Sequence, residues 1–409
     1  MGSMAPHASL HGKRILLGVT GSIAAYKSAV LARELQRRGA QVRIIMTPGA
    51  IEFITPLTLA TLTDHPVHSD FTENKDSGEW TNHVELGLWG DVFLVAPATA
   101  NTLSAFVQGA CDNFLQAVHL SSRCPICVAP AMDLDMFTHE ATQKNLTILK
   151  DRNVGIIEPE VGLLASGLEG KGRMAEPEAI ASWLESWFQE RAPLRGKKIL
   201  LTAGPTLEPI DSVRFIGNHS SGKMGYALAD ALIQKGAEVH LISGPVQLKP
   251  PAGVASLTNV QTAQDMMSAA SQNFETYDVA IATAAVADAR PMQSTSKKLH
   301  RDELPNSIKL EATPDILAFW GLRKAAHQTV VGFALESDDG VASAMGKLKR
   351  KNLDFIVLNS TAVEGAGFGT DTNQISIFNP DGKAHKFGLK SKTEVASDIV
   401  QYLLNHLSL

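Results

Sequence analysis

One structural pattern is written twice in this chain, and it constrains the fold more than any other feature. RILLGVTG, residues 14 to 21, leads into a helical pattern that sets Ile23, Tyr26, Val30, Leu31 and Leu35 on one face, then into RRGAQVRIIMT. KILLTAGP, residues 198 to 205, leads into Met224, Leu228, Ala231 and Leu232 at the same spacing, then into QKGAEVHLISG. Each copy reads strand, helix, Gly-Ala turn, strand. A later pair, DVFLVAPATAN (91 to 101) and DVAIATAAVAD (278 to 288), repeats an acid, a buried strand and a polar residue ten positions on. Apolar strands alternating with amphipathic helices, AFVQGACDNFLQAVHL and MGKLKRKN among them, require parallel sheets covered by helices on both faces. The expected fold class is α/β, with two doubly wound, Rossmann-like domains.

A chain of 409 residues also exceeds one ordinary core. The opening MGSM reads as a cloning remnant, so residues 1 to 11 are expected to be a disordered leader, 12 to 189 a first domain, 190 to 196 a linker and 197 to 409 a second domain. The copies differ in one place. Arg14 to Gly39 spans 25 positions and Lys198 to Gly236 spans 38, so the second carries thirteen extra residues, most of TLEPIDSVRFIGNHSS, between strand and helix. Open α/β sheets bind ligands outside the carboxyl ends of their strands, which is where this insertion falls.

Composition removes several function classes. A formal net charge of -5 offers no broad basic field for a nucleic acid backbone. Apolar runs such as VFLVAPA are too short to span a bilayer, and no signal peptide opens the chain, so the reading is cytoplasmic, with no membrane partner. Three cysteines, Cys111, Cys124 and Cys127, are too few for a disulfide framework. The Cys124-Pro-Ile-Cys127 spacing matches a redox or half-zinc motif, but CPICVAPAM reads as a buried strand, which favours packing.

Several segments have both a chemical and a plain reading. GVTGSIAAYK places Gly21 and Ser22 at a strand-to-helix turn whose amides can hold a phosphate; a tight turn capped by Ser22 is the alternative. Neither half holds a full G-x-G-x-x-G, which disfavours a tandem NAD(P) oxidoreductase. APATANT suits a flat ring approaching the backbone, or a helix start capped by Thr99. His83 in TNHVELG stands as a lone histidine with either a structural or an acid-base role. GNHSSGKM resembles a P-loop, yet Met224 replaces the hydroxyl that would bind magnesium, leaving Ser220, Ser221, Gly222 and Lys223 as donors at a helix start. Asp288 ends a buried strand where a carboxylate meets a ribose or a metal ion. Lys297, Lys298, His300 and Arg301 form either a solvated turn or countercharge for a triphosphate.

Assembled in order, GSIAAYK, APATANT and GKGRMAEP, then AGPTLEPIDSVRFIGNHSSGKMG, AAVAD, GFALE, KRKNLDFIVLN and GFGTDTNQ resemble the bifunctional phosphopantothenoylcysteine decarboxylase/phosphopantothenate-cysteine ligases of bacterial coenzyme A synthesis. The similarity runs from Lys13 to the last helix. It implies FMN in the first half, contacted by Gly21, Ser22, Thr47, Ala98, Thr99 and Asn101, with His83 as base. The flavin would supply the electron sink that decarboxylation of 4'-phosphopantothenoyl-L-cysteine to 4'-phosphopantetheine lacks. LLASGLEGKGRMAEP, 163 to 177, looks like that family's substrate flap, and Asp133, Met136, Arg173 and Met174 fall among the substrate contacts. Two positions depart from the pattern. Ser166 stands where the family has a proton-donating cysteine, and Asp133 where most members have an asparagine that holds the substrate carboxylate; Arg173 is the cation expected to pair with Asp133.

In the second half the resemblance implies CTP-dependent ligation of 4'-phosphopantothenate to L-cysteine through an acyl-cytidylate. Asn218 would hold that intermediate, Ser220 to Lys223 the acyl substrate, Asp288 the nucleotide and Mg2+, and Lys298 the developing charge. Phe333 would lie by the cytosine, with Lys347, Lys351 and Asn359 on the nucleotide side. A homo-oligomer is implied as well. The competing readings are a flavoprotein half that is impaired or only binds flavin, and a flavin-binding regulatory protein.

Overall fold

A computed structural model describes residues 10–74, 79–164, 166–300, 305–336, 340–360 and 370–409. The chain forms two compact units, Met1–Glu190 and Arg191–Leu409.

The first unit is built on six strands: β1 (Arg14–Val19), β2 (Gln41–Met46), β3 (Val67–His68), β4 (Val92–Ala98), β5 (Ile126–Pro130) and β6 (Gly155–Ile156). They lie in the order β3-β2-β1-β4-β5-β6, all parallel, with Arg14 opposite Gln41 and Ile15 opposite Val92. Every position of β4 is buried, as a central strand covered on both faces must be. A hairpin, β7 (Glu160–Leu163) and β8 (Glu169–Arg173), follows the sheet. The second unit repeats the order with β9 (Lys198–Ala203), β10 (Glu238–Ser243), β11 (Ser256–Asn259), β12 (Val279–Ala282), β13 (Thr329–Glu336) and β14 (Phe355–Ser360), arranged β11-β10-β9-β12-β13-β14. Two antiparallel strands, β15 (Ile375–Phe378) and β16 (Ala384–Lys386), extend its edge.

The repeated acid before a buried strand has a structural cause. Asp91 accepts the Arg14 amide at 2.8 Å and the Arg14 guanidinium at 2.9 Å. Asp278 does the same for the Lys198 amide at 2.8 Å and Lys197 Nζ at 2.9 Å, and Asp354 for the Val330 amide at 2.6 Å and Lys324 Nζ at 2.8 Å. Each carboxylate takes an amide at the start of a neighbouring strand, the first residue for Asp91 and Asp278 and the second for Asp354, where a ladder runs out of partners.

Two expectations are corrected by the fold. The first helix, α1 (Lys27–Arg37), is preceded by a 3-10 turn over Ile23–Tyr26, and its three residues per turn shift the apolar phase. Leu31 and Leu35 are buried, while Ile23, Tyr26 and Val30 lie exposed, so they do not share the core face. AFVQGACDNFLQAVHL is two helices, Ala100–Gln108 and Phe114–Ser121, broken at Gly109 with φ 73. In the second unit the extra residues stand between strand and helix and include the hairpin Leu207–Pro209 with Phe215–Gly217; the helix α2 (Lys223–Gln234) follows, with Gly222 at its N-cap.

At the termini of the first unit, residues 1–9 lie outside the described residues, and Leu10 is fully buried, its amide donating to Arg38 O at 3.1 Å. The segment after Arg191 is not a free tether: Leu194 is fully buried in the second unit's core, with its amide on Lys235 O at 2.9 Å. Among the described residues no helix is long and apolar enough to cross a membrane.

Candidate functional site

Both sheets reverse direction between their first and fourth strands, and both candidate sites form at the carboxyl ends there. In the first unit Thr20 Oγ1 donates to Pro97 O at 2.8 Å and accepts from the Thr99 amide at 3.2 Å, joining the ends of β1 and β4. Ser22 caps the 3-10 turn through the Ala24 amide, and Thr99 caps the Ala100–Gln108 helix through the Thr102 amide, so the capping reading holds at both. At Gly21 a Cβ would stand 2.9 Å from the Gly49 carbonyl carbon. The loop that starts at Thr47, whose amide donates to Val19 O at 3.0 Å, therefore closes against a position that only glycine fills. Ala98 is buried at the end of β4 and Asn101 is exposed one helical turn beyond.

A cavity of about 400 Å³ brings Ser22 together with Asp133, Arg173 and Met174, roofed by Leu163 and Leu164 of the hairpin. His83, Thr47, Ala98, Thr99, Asn101, Met136 and Ser166 are not part of its lining. His83 begins a helix capped by Asn82 and meets the Phe71 ring edge-on at 6.1 Å. Met136 is half exposed, and Ser166 occupies the exposed hairpin tip, accepting the Leu168 amide at 3.4 Å. Ala165 lies outside the described residues.

The expected pairing of Arg173 with Asp133 is absent. Arg173 donates to Glu176 Oε1 at 2.6 Å, and Asp133 accepts the Leu134 amide at 2.6 Å as the cap of the Leu134–Thr138 helix. Glu176 wins because it already faces Lys27, 4% exposed, whose Nζ reaches Glu176 Oε1 at 3.0 Å and Met174 O at 2.9 Å. The hydrogen bond from Lys27, ahead of Arg173's field, holds the Glu176 carboxyl below its ordinary range. Lys27 was missed in the sequence reading, although it closes the GSIAAYK motif; an apolar helix face does not announce a buried ammonium. Cys127 is buried in β5, and burial pushes the Cys124 thiol up to about 11, the opposite of a redox or metal thiolate.

The second unit gathers its predicted residues more completely. A cavity of about 550 Å³ is lined by Asn218, Ser220, Ser221, Gly222, Lys223, Asp288, Phe333, Lys347 and Asn359, drawn from five separate segments of chain. A neighbouring cavity of about 310 Å³ shares Asp288, Phe333 and Lys347 and adds Lys351, whose Nζ lies 2.8 Å from Asp315. The two make one two-lobed cleft. Asn218 Nδ2 donates to Val286 O at 3.0 Å, which fixes its amide against the loop after β12. Lys347 Nζ donates to Phe333 O at 2.8 Å. Gly222 adopts φ 74 at the N-terminus of α2, and Lys223 Nζ lies 2.6 Å from Asp371.

Two placements differ from the expectation. Asp288 is not the tip of its strand: β12 ends at Ala282, and Asp288 comes six residues later in the loop, still lining both lobes. Lys298 is exposed and lines neither lobe; its loop is held instead by the insertion hairpin, where buried Asp211 accepts the Leu299 amide at 3.3 Å and Arg214 Nη1 at 2.6 Å. Arg301 lies outside the described residues. Among the described residues no three His, Cys, Asp or Glu side chains gather to hold a metal; Asp288 lines both lobes, and Asp315, bonded to Lys351, lines the smaller one. The sequence reading missed Asn373 and Lys392, which line the larger lobe. Asn373 lay inside the quoted GFGTDTNQ motif, while Lys392 is brought in from the last helix by tertiary folding alone.

Comparison with known proteins gives the same division. A profile described as Flavoprotein matches residues 3–189, and one described as DNA/pantothenate metabolism flavoprotein C-terminal domain matches residues 194–407. The coenzyme A biosynthesis bifunctional protein CoaBC of Bacillus subtilis is 42% identical over 394 residues, 96% of this chain and 97% of that one. A cysteine/cysteine sulfinic acid decarboxylase from an unknown prokaryotic organism is 51% identical over 355 residues, 86% of this chain and 99% of that one. The crystal structure of the C-terminal domain of a CoaBC protein is 41% identical and covers 53% of this chain and 98% of its own, with a TM-score of 0.46. With one profile over each unit and relatives aligned along nearly its whole length, the chain belongs to the family of bifunctional coenzyme A biosynthesis proteins, a flavoprotein domain followed by a pantothenate-metabolism C-terminal domain.

Proposed function

We propose that the second unit, residues 197 to 409, ligates 4'-phosphopantothenate to L-cysteine with CTP, and that the first, residues 12 to 189, decarboxylates the product to 4'-phosphopantetheine. The observation that carries the ligase reading is the convergence of Asn218, Lys223, Asp288, Phe333, Lys347 and Asn359 on one cleft. A carboxylate does not acylate an amine unaided, because its oxygen is a poor leaving group. Attack of the carboxylate oxygen on the α-phosphorus of CTP forms the acyl-cytidylate and expels pyrophosphate; the cysteine amine then attacks the acyl carbon and CMP leaves. Lys347 and Lys351 offset the charge of the phosphates, Asn218 holds the acyl group, and Lys298 adds charge from its loop. A magnesium ion bound with the triphosphate would find Asp288 among the carboxylates of the cleft and would offset phosphate charge there. The test is pyrophosphate release from CTP, phosphopantothenate, cysteine and Mg2+; folded protein that releases none refutes the reading.

FMN is assigned to the first unit, where Gly21, Ser22, Thr47, Ala98 and Thr99 stand at the carboxyl ends of β1, β2 and β4, the edge at which open α/β sheets take their ligands. Bound there, it would accept the electrons of the substrate thiol and so create the sink that loss of carbon dioxide requires. Around it, His83 takes the thiol-side proton, Asn101 positions the substrate, and the hairpin with Ser166 excludes water, aided by Met136, Met174 and Arg173. A homo-oligomer completes this site: exposed Ile23 and Tyr26 form part of its cavity wall. The protein acts in the cytoplasm.

A second reading of the first unit has its own observation. Asp133 puts a carboxylate into the cavity where an amide is usual, and a carboxylate complements an ammonium. Free cysteine carries an ammonium and phosphopantothenoylcysteine does not, and the relative that is 51% identical is named for cysteine and cysteine sulfinic acid. Carbon dioxide release measured on all three substrates separates the readings: turnover of phosphopantothenoylcysteine alone removes the second.

A further inference from the structure

Two helices begin at the same end of the larger lobe, and each begins with a lysine. Lys223 is the first residue of α2, and Lys392 is the first residue of α3 (Lys392–His406). A helix N-terminus carries a partial positive charge, so a cation there is disfavoured, and burial disfavours it again. Lys392 is 8% exposed and its Nζ donates to Thr370 O at 2.6 Å, a neutral carbonyl. Burial first, then the field of Lys223, lowers its pKa. Among the described residues a carboxylate near this positive pole is Asp371, 85% exposed and 2.6 Å from Lys223 Nζ. Such a solvated pair contributes little, so it exchanges readily for a stronger anion.

A second, independent observation marks the same wall. Asn373 is 3% exposed and lines the lobe, and among the described residues its Oδ1 has no hydrogen-bond partner. Its Nδ2 donates to the Met224 sulfur at 3.7 Å. A buried amide oxygen left unmade is costly, and it accepts, so what satisfies it must donate.

We propose that Lys223 and Lys392 together form a phosphomonoester subsite, with Asn373 Oδ1 accepting from a hydroxyl or amide N–H carried close to that phosphate. 4'-Phosphopantothenate has both groups in that arrangement. The subsite rests on the ligase reading and assigns this end of the cleft to the acyl substrate. Asp288, Phe333 and Lys347 are shared with the smaller lobe, and that side is left to the nucleotide; Lys392 and Asn373 are not shared. Asp371 is the anion that the phosphate displaces.

Initial rates of pyrophosphate release on the full chain, with phosphopantothenate and CTP varied separately, test this. Lys392→Gln is expected to raise KM for phosphopantothenate by about tenfold or more, the loss of one charge-assisted contact, with KM for CTP unchanged. Lys392→Arg restores most of that, and Asp371→Asn lowers KM for phosphopantothenate. Asn373→Ala raises KM for phosphopantothenate without weakening competitive inhibition by inorganic phosphate, which has no neighbouring donor. A Lys392→Gln variant that melts as wild type and keeps its KM for phosphopantothenate overturns the subsite, and so does a rise confined to CTP, which would give the lysine to the triphosphate. If Lys392→Gln does not fold, Asp371→Asn and Asn373→Ala decide the matter, since unchanged KM in both refutes it. Wild-type protein that releases no pyrophosphate under any of these conditions refutes the ligase reading instead.

Discussion

Gly225 sits in the first turn of α2, and its φ is not one that demands glycine; what it lacks is room. A Cβ there would lie 2.5 Å from Ala203 Cβ at the end of β9 and 2.5 Å from Thr283 Oγ1, which is itself fixed by donating to Thr202 O at 2.6 Å. Neither neighbour can retreat, so Gly225→Ala must move the helix outward until ordinary contact returns, a shift of about 1 Å. Overpacking costs about 1 to 3 kcal/mol, and the better helix propensity of alanine returns about 1, so net destabilisation is about 0 to 2 kcal/mol. The unit still folds, with a melting temperature lower by about 0 to 8 °C. Function is more sensitive, because Ser220 to Lys223 ride on the helix N-terminus: a displacement of about 1 Å predicts a loss of about 100-fold in kcat/KM for pyrophosphate release. Wild-type kcat/KM in a variant whose melting point has dropped would refute the idea that helix-to-strand contact sets the position of the cleft loop.

In the first unit, Lys27→Met frees Glu176 and Met174 O and loosens the hairpin root; faster proteolysis between residues 160 and 173 and slower carbon dioxide release are expected, and unchanged proteolysis contradicts the anchoring role. Ser166→Cys retains or raises decarboxylation while Arg173→Ala weakens it, both read as carbon dioxide release; equal kinetics in the arginine variant would remove the flap assignment. Glu34, bonded first to Arg37 and also to Arg38, is held down to about 2 from 4.5. A depressed acid stabilises the fold above its unfolded value, so its contribution is complete above about 4.5 and disappears as pH falls towards 2. Acid unfolding of Glu34→Gln should accordingly be flatter over that window than that of wild type. Exposed Cys111 should alkylate first at neutral pH, ahead of Cys124, whose thiol is pushed up by burial; mass mapping that finds Cys124 first contradicts the packing.

Much of this architecture is local and therefore legible in the sequence. Strand and helix periodicity and the Gly-Ala turns follow from side chains a few residues apart, and they specified two doubly wound sheets and their order of elements; the acid before each central strand was visible as a repeat, but its partner amide lies on another strand. The motif segments likewise named most of the cleft, because Ser220, Lys223 and Asp288 lie on loops that must leave the carboxyl ends of parallel strands. What the local pattern could not carry was phase and partnership. The 3-10 turn at Ile23–Tyr26 rotated an apolar stripe into solvent, and Arg173 chose Glu176 over Asp133 because Lys27 was already there. Lys392 reached the cleft from the last helix, more than 150 residues from Lys223 in the chain, and only the packing of α3 beside α2 brings the two ammonium groups to one wall. Hydrophobic spacing decides which elements form; which charges then face one another depends on how closely those elements approach, and that distance exists only in the folded chain.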